Sequence, residues 1–100
     1  MISIISFTID IMDSFIELLQ AIEKNDEIKI YGDYYDSQHE DIRKAASMAC
    51  DYLICDDGHC NWDNIEILED IAIRVFPGEQ DRFGWVTGCI GLKNGIIVYG

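Results

Sequence analysis

The sequence predicts an α+β fold: a single small domain with helices packed on one face of a mostly antiparallel sheet. Three observations carry that expectation. Several stretches repeat apolar residues at helical spacing, one short segment alternates apolar with polar residues, and an Asn-Gly dipeptide separates two apolar runs near the C-terminus. The expected order is roughly β-α-β-α-α-β-β, closing on a β-hairpin, with residues 1–100 forming one unit.

The first segment, ISIISFTI, is β-branched and aromatic and suits a strand, although its apolar run could equally extend the next helix backward. Ser14 and Glu17 form a capping-box pattern that starts a helix, with Phe15, Leu18, Leu19 and Ile22 at helical spacing and Asn25 as its stop. EIKIYG, residues 27–32, places Ile28 and Ile30 inward against Glu27, Lys29 and Tyr31, the pattern of a half-buried strand. A second capping box, Ser37 to Glu40, opens a helix with Ile42, Ala45, Ala46, Ala49 and Leu53 on one face, ending near Ile54. Its alanines let a neighbour approach closely.

A third helix is expected from about Asn64, with Asp63 and Glu66 in capping positions and Ile65, Leu68, Ala72 and Val75 as its buried stripe, until FPG stops it. In GLKNGIIVYG, Asn94 and Gly95 can both take positive φ, as a type I′ turn requires, so Leu92 and Ile97 should face each other across the hairpin.

One hundred residues suffice for a real core. Nineteen acids against seven bases leave a formal charge of −12, a field that repels nucleic acid and anionic membranes and favours a basic protein surface as partner. The apolar N-terminus lacks a basic flank and is broken by Asp10 and Asp13, which fits neither a secretory signal nor a membrane span. The expected compartment is therefore the cytoplasm, where thiols stay reduced and clustered cysteines act as metal ligands or buried side chains.

That compartment frames CDYLICDDGHC, residues 50–60, which holds three of the four cysteines and one of the two histidines. Zinc takes four ligands in a tetrahedron. Cys55 and Cys60 bracket the turn DDGH, His59 is adjacent, and Cys50 lies on the last turn or so of the preceding helix, so Cys50, Cys55, His59 and Cys60 are the candidate set. Cys89 is the reserve ligand, with Asp56 or Asp57 as substitutes. The paired C-x-x-C knuckles of zinc ribbons are missing. The plainer reading makes Cys50 a buried helix cysteine and Cys89 a strand-core residue.

Asp63, Glu66 and Asp70 fall on one side of the third helix, with Glu69 beside them. Neighbours at such spacing sit about 5–6 Å apart, near the spacing of successive phosphates on a nucleic-acid strand. Either they mimic phosphates in a DNA-binding groove or they form a solvated helix face. In IYGDYYDS, three tyrosines interleave with Asp33 and Asp36, a composition that protein interfaces favour; the alternative is that two of the three tyrosines pack on the sheet and the aspartates shape a turn. Trp62 and Trp85 are expected in the core or at its edge. No phosphate-binding glycine loop, nucleophile elbow or nucleophile with an evident base occurs, which argues against an enzyme.

The whole chain resembles the small acidic proteins that phages and mobile elements use against bacterial defences, the anti-CRISPR and anti-restriction inhibitors. The resemblance is one of type: size, charge, a single α+β domain, the helix acids Asp63, Glu66 and Asp70, and the acidic-aromatic YGDYYD. Its isoleucine-rich composition looks like that of a low-GC Gram-positive host. The resemblance implies a stoichiometric inhibitor that binds a basic surface of a type II CRISPR effector nuclease and blocks target-DNA loading, without touching nucleic acid or membrane, and a zinc-containing member would fit the Cys/His loop. Asp33, Tyr35, Asp36, Asp63, Glu66 and Asp70 are the contact candidates. The alternatives are a zinc-stabilised protein-interaction module of phage or bacterial origin, and a redox or metal-handling protein.

Overall fold

The computed structural model describes residues 4–30, 39–78, 82 and 87–100. The elements run α1 (Ile4–Lys24), α2 (Glu40–Leu53), α3 (Trp62–Asp70), β1 (Arg74–Phe76), β2 (Gly88–Leu92) and β3 (Gly95–Tyr99). The α+β class and the C-terminal hairpin stand, but the described helices all precede the strands.

The first strand is replaced by helix. Met12, Phe15, Leu19 and Ile22 are buried at spacings of three and four, so the apolar stripe already runs before Ser14. Ser14 is an exposed mid-helix residue rather than a cap. β-branched residues disfavour a helix only weakly, and tertiary packing overrides that preference. Asn25 does end α1: its N–H donates to the Ile22 carbonyl (3.1 Å), and its Oδ1 accepts the Glu27 N–H (3.0 Å).

Ile28 and Ile30 are buried and Glu27 and Lys29 exposed, as alternation requires, yet the described residues of the segment make a single parallel bridge, Ile30 to Gly95, instead of a ladder. Its polar backbone groups go to a side chain and a turn. Asn94 Nδ2 donates to the Ile22 carbonyl (2.8 Å) and the Ile28 carbonyl (3.2 Å), while the Ile30 N–H donates to the Asn94 carbonyl (2.8 Å). Residues 31 and 32 lie outside the described residues, as does Ser37.

The N-cap of α2 is His39, whose Nδ1 accepts the Asp41 N–H (3.3 Å). Ile42, Ala45, Ala46, Ala49 and Leu53 are all buried, as their spacing predicts. The alanine face lets α2 lie between α1 and β3, and the Phe15 and Tyr52 rings meet edge-on at 5.6 Å.

The sheet is antiparallel in the order β1-β2-β3. Val75, Ile90 and Ile97 stand opposite one another and are buried beneath the helices. The hairpin turns at Lys93 and Asn94, pairing Leu92 with Gly95 and Ile90 with Ile97. The expected register is thus shifted by two, so Leu92 and Ile97 keep a common face without being opposite. Asn94 does not take positive φ. Gly95 does, at φ 138, and it is needed for a second reason: a Cβ there would overlap the Ile30 carbonyl.

The third helix also stops early. Ile65 and Leu68 are buried, but the Ala72 N–H donates to the Glu69 carbonyl (3.0 Å) and the Ile73 N–H to the Leu68 carbonyl (3.0 Å), the two bonds of a Schellman motif. Ala72 occupies its left-handed position at φ 66 and is exposed, while buried Ile73 packs back toward the core. Val75 is consequently a strand residue. Alanine in that conformation is strained by about 1–2 kcal/mol. Ala72→Gly should stabilise the protein by about 0.5–1 kcal/mol in denaturant unfolding, after the entropy of glycine in the unfolded chain is offset. An unchanged or lower midpoint would show that no left-handed turn ends α3.

Candidate functional site

The Cys/His loop is a tight hairpin between α2 and α3. The Gly58 N–H donates to the Cys55 carbonyl (2.9 Å) across Asp56 and Asp57, and Gly58 takes φ 84. The Cys55 N–H then donates to the His59 carbonyl (2.7 Å), so the glycine forms the left-handed bulge of a three-residue loop. Asp57 serves the turn itself, its Oδ1 accepting the His59 N–H (3.1 Å).

This hairpin decides which side chains meet. Ile54 pairs with Cys60, flanked by the Cys55–His59 bond and by the Asn61 N–H to the Leu53 carbonyl (2.9 Å). Opposite residues share a face, and successive residues alternate between faces. Ile54 and Cys60 therefore face the core, against which both pack. Cys55 and His59 share the other face. The pairing thus places Cys55 and His59 on one face of the hairpin and Cys60 on the other.

Cys50, on α2, is half-buried against the core, and Cys60 Sγ donates to the Gly78 carbonyl (3.6 Å). Cys89 belongs to the row Phe76–Cys89–Val98, on the sheet face opposite the helices. All four cysteines are free thiols. Three of them bear electrostatically on one buried phenol, Tyr99. The Tyr99 ring lies over Gly88, where any Cβ would strike it. Burial pushes the Tyr99 phenol far up, and the Cys60, Cys89 and Cys50 sulfurs push it the same way by charge repulsion. Among the described residues, no three His, Cys, Asp or Glu side chains are arranged to hold a metal ion.

The acids of α3 form the second feature. Asn61, rather than Asp63, is its N-cap, its side chain accepting the Asn64 N–H (3.3 Å), and Asn64 Nδ2 in turn donates to the Tyr52 carbonyl at the end of α2 (2.7 Å). Ile65 and Leu68 face inward, leaving Asp63, Glu66 and Asp70 on one exposed stripe with Glu69 at its flank. Asp63 in the first turn suits the positive end of the helix dipole. Glu69 and Asp70 do the opposite: they stand in the last turn, which holds no basic residue. Each such carboxylate costs roughly 0.3–1 kcal/mol, and like charges three and four residues apart repel further.

Sequence reasoning missed the apolar part of this face. Trp62, expected in the core or at its edge, is 58% exposed, and Ile67 is 40% exposed among the acids. The available signal was Asn61: a cap there starts the helix two residues earlier and puts Trp62 in the first turn, off the Ile65–Leu68 stripe. Asp33, Tyr35, Asp36 and Trp85 lie outside the described residues. No helix among the described residues is long and apolar enough to cross a membrane. The chain matches no known protein family, no curated protein and no solved structure.

Tyr99 makes the site's environment measurable. Its phenol stays protonated in the folded chain above the ordinary value of 10.0 at which the unfolded chain releases the proton. Native protein binds more protons there, so the stability this group contributes is intact below about pH 10 and falls as pH rises beyond it. Denaturation across that range should show a steeper alkaline loss for wild type than for Tyr99→Phe. Identical pH dependence in the two would place the titrating group elsewhere.

Proposed function

We propose that this protein is a stoichiometric, non-catalytic inhibitor of the anti-CRISPR type, acting in the cytoplasm of a bacterial host. It presents α3 to a basic surface of an RNA-guided type II effector nuclease and blocks loading of target DNA by occlusion and charge. The observation that carries this reading is the exposed stripe Asp63, Glu66 and Asp70, whose like charges repel at spacings of three and four, with Asp70 and neighbouring Glu69 also set against the helix dipole at its C-terminal end. Acids that weaken their own helix are better explained by a partner than by folding. Trp62 and Ile67 beside them add the apolar contact that protein interfaces use.

The test is target-DNA cleavage by such a nuclease charged with guide RNA, with the protein added before or after the DNA. Inhibition is expected only when the protein comes first, weakening as salt rises. Glu66→Lys with Asp70→Lys should abolish it while leaving stability unchanged or higher, because the two changes relieve like-charge repulsion along the stripe and the second also suits the helix dipole. Undiminished cleavage at excess protein would overturn the reading and favour an interaction module without nuclease inhibition.

Zinc belongs to the same proposal, held by Cys50, Cys55, His59 and Cys60, with Cys89, Asp56 and Asp57 in reserve. Uptake by that set requires the Ile54–Cys60 pairing to open so that Cys55 and His59 can turn toward Cys60. Elemental analysis of untagged protein should then find close to one equivalent of zinc, lost in Cys60→Ser. Metal far below stoichiometry, with all four thiols titrating freely, would remove zinc from the proposal.

A further inference from the structure

The sheet face turned away from the helices carries the rows Arg74–Gly91–Ile96 and Phe76–Cys89–Val98, without an acid in either. In a chain of charge −12 that is a distinct chemistry. Phe76 is 53% and Ile96 40% exposed. The face runs into a groove of about 520 Å³ at the end of α3, where Ile71, Ala72, Phe76 and Leu92 supply apolar wall and Arg74 and Lys93 supply two of the chain's seven cations. Glu23 closes one end, its Oε2 accepting the Lys93 N–H (3.0 Å).

The outward stripe of α3 has the opposite character: exposed Trp62 and Ile67 set among Asp63, Glu66 and Asp70. One surface is apolar and basic, the other apolar and acidic, and they adjoin at Ile71, which caps α3 and lines the groove. A two-fold contact needs such a self-complementary patch, in which the first half of one copy meets the second half of the other and the reverse. We infer that the protein self-associates as a symmetric dimer, with the α3 stripe of each copy seated in the groove beside Arg74, Phe76 and Lys93 of its partner. Net charge opposes any self-association, and this is the arrangement in which the contact itself places acids on cations. The inference does not rest on nuclease inhibition. It does make the α3 stripe unavailable to another protein while the dimer lasts.

The experiment is sedimentation equilibrium of the full chain at about 0.15 M salt, where the screening length of about 8 Å damps repulsion between whole molecules more than contacts. Wild type should approach twice the 11.4 kDa chain mass as concentration rises. Arg74→Glu with Lys93→Glu, and separately Asp63→Lys with Glu66→Lys and Asp70→Lys, should each stay monomeric. An equimolar mixture of the two variants should recover the dimer mass, since each heterodimer contact again joins opposite charges. Recovery also proves both variants folded. Phe76→Asp, with its helical circular dichroism intact, should be monomeric as well. A wild type that remains monomeric, charge variants that still dimerise, or a mixture that stays monomeric would each overturn the inference.

Discussion

The amide of Asn94 joins three stretches of chain that are remote in sequence. Its Nδ2 donates to the Ile22 carbonyl in the last turn of α1 and to the Ile28 carbonyl in the segment after it, while the main-chain carbonyl of Asn94 receives the Ile30 N–H. Each such bond contributes about 0.5–1.5 kcal/mol net. Their larger effect is geometric, because together they set the hairpin tip against the end of α1 and admit Ile30 beside Gly95 at the sheet edge. Lys93 reinforces the junction through Glu23. The Asn-Gly pair therefore serves tertiary docking, and the turn conformation adapts to it.

From that junction the rest of the domain is laid down in layers. The alanine face of α2 permits a close approach to α1 and β3, and among the described residues the buried side chains are apolar apart from the neutral phenol of Tyr99, so no charge lies inside. The short hairpin at Gly58 then reverses the chain, and Asn64, bonded to the Tyr52 carbonyl, anchors the start of α3 to the end of α2. The inward pair Ile65 and Leu68 sets which side of α3 faces solvent. Asp63, Glu66 and Asp70 are outside because those two are inside.

The surface that results is divided. Acids gather on α3, the last two, Glu69 and Asp70, against the preference of its dipole, and two of the few cations border an apolar groove at the other side of Ile71. Repulsion among the acids is relieved when a basic surface covers them, which links the charge of the chain to its proposed partner and, through Arg74 and Lys93, to its own second copy. The cysteines follow a separate logic: the hairpin pleat sorts Cys60 toward the core and Cys55 outward, while Cys60, Cys89 and Cys50 all raise the Tyr99 phenol.

Local pattern by itself determined what depends on period and composition. The α2 stripe from Ile42 to Leu53, the stop at Asn25, the burial of Ile28 and Ile30, the existence of the C-terminal hairpin and the acidic stripe of α3 were all legible, because a helix repeats every 3.6 residues and a strand every two. Tertiary structure alone decided the rest. ISIISFTI reads as a strand until the Met12–Ile22 face finds a helix to pack on; α3 reads through to Val75 until a left-handed Ala72 ends it; Leu92 faces Ile97 until Asn94 is needed elsewhere. The same holds for the candidate ligands, since spacing brings Cys55 and Cys60 close along the chain, but the pairing of Ile54 with Cys60 puts them on opposite faces. Each of these outcomes turns on a partner distant in sequence, and such contacts leave no period for the local pattern to carry.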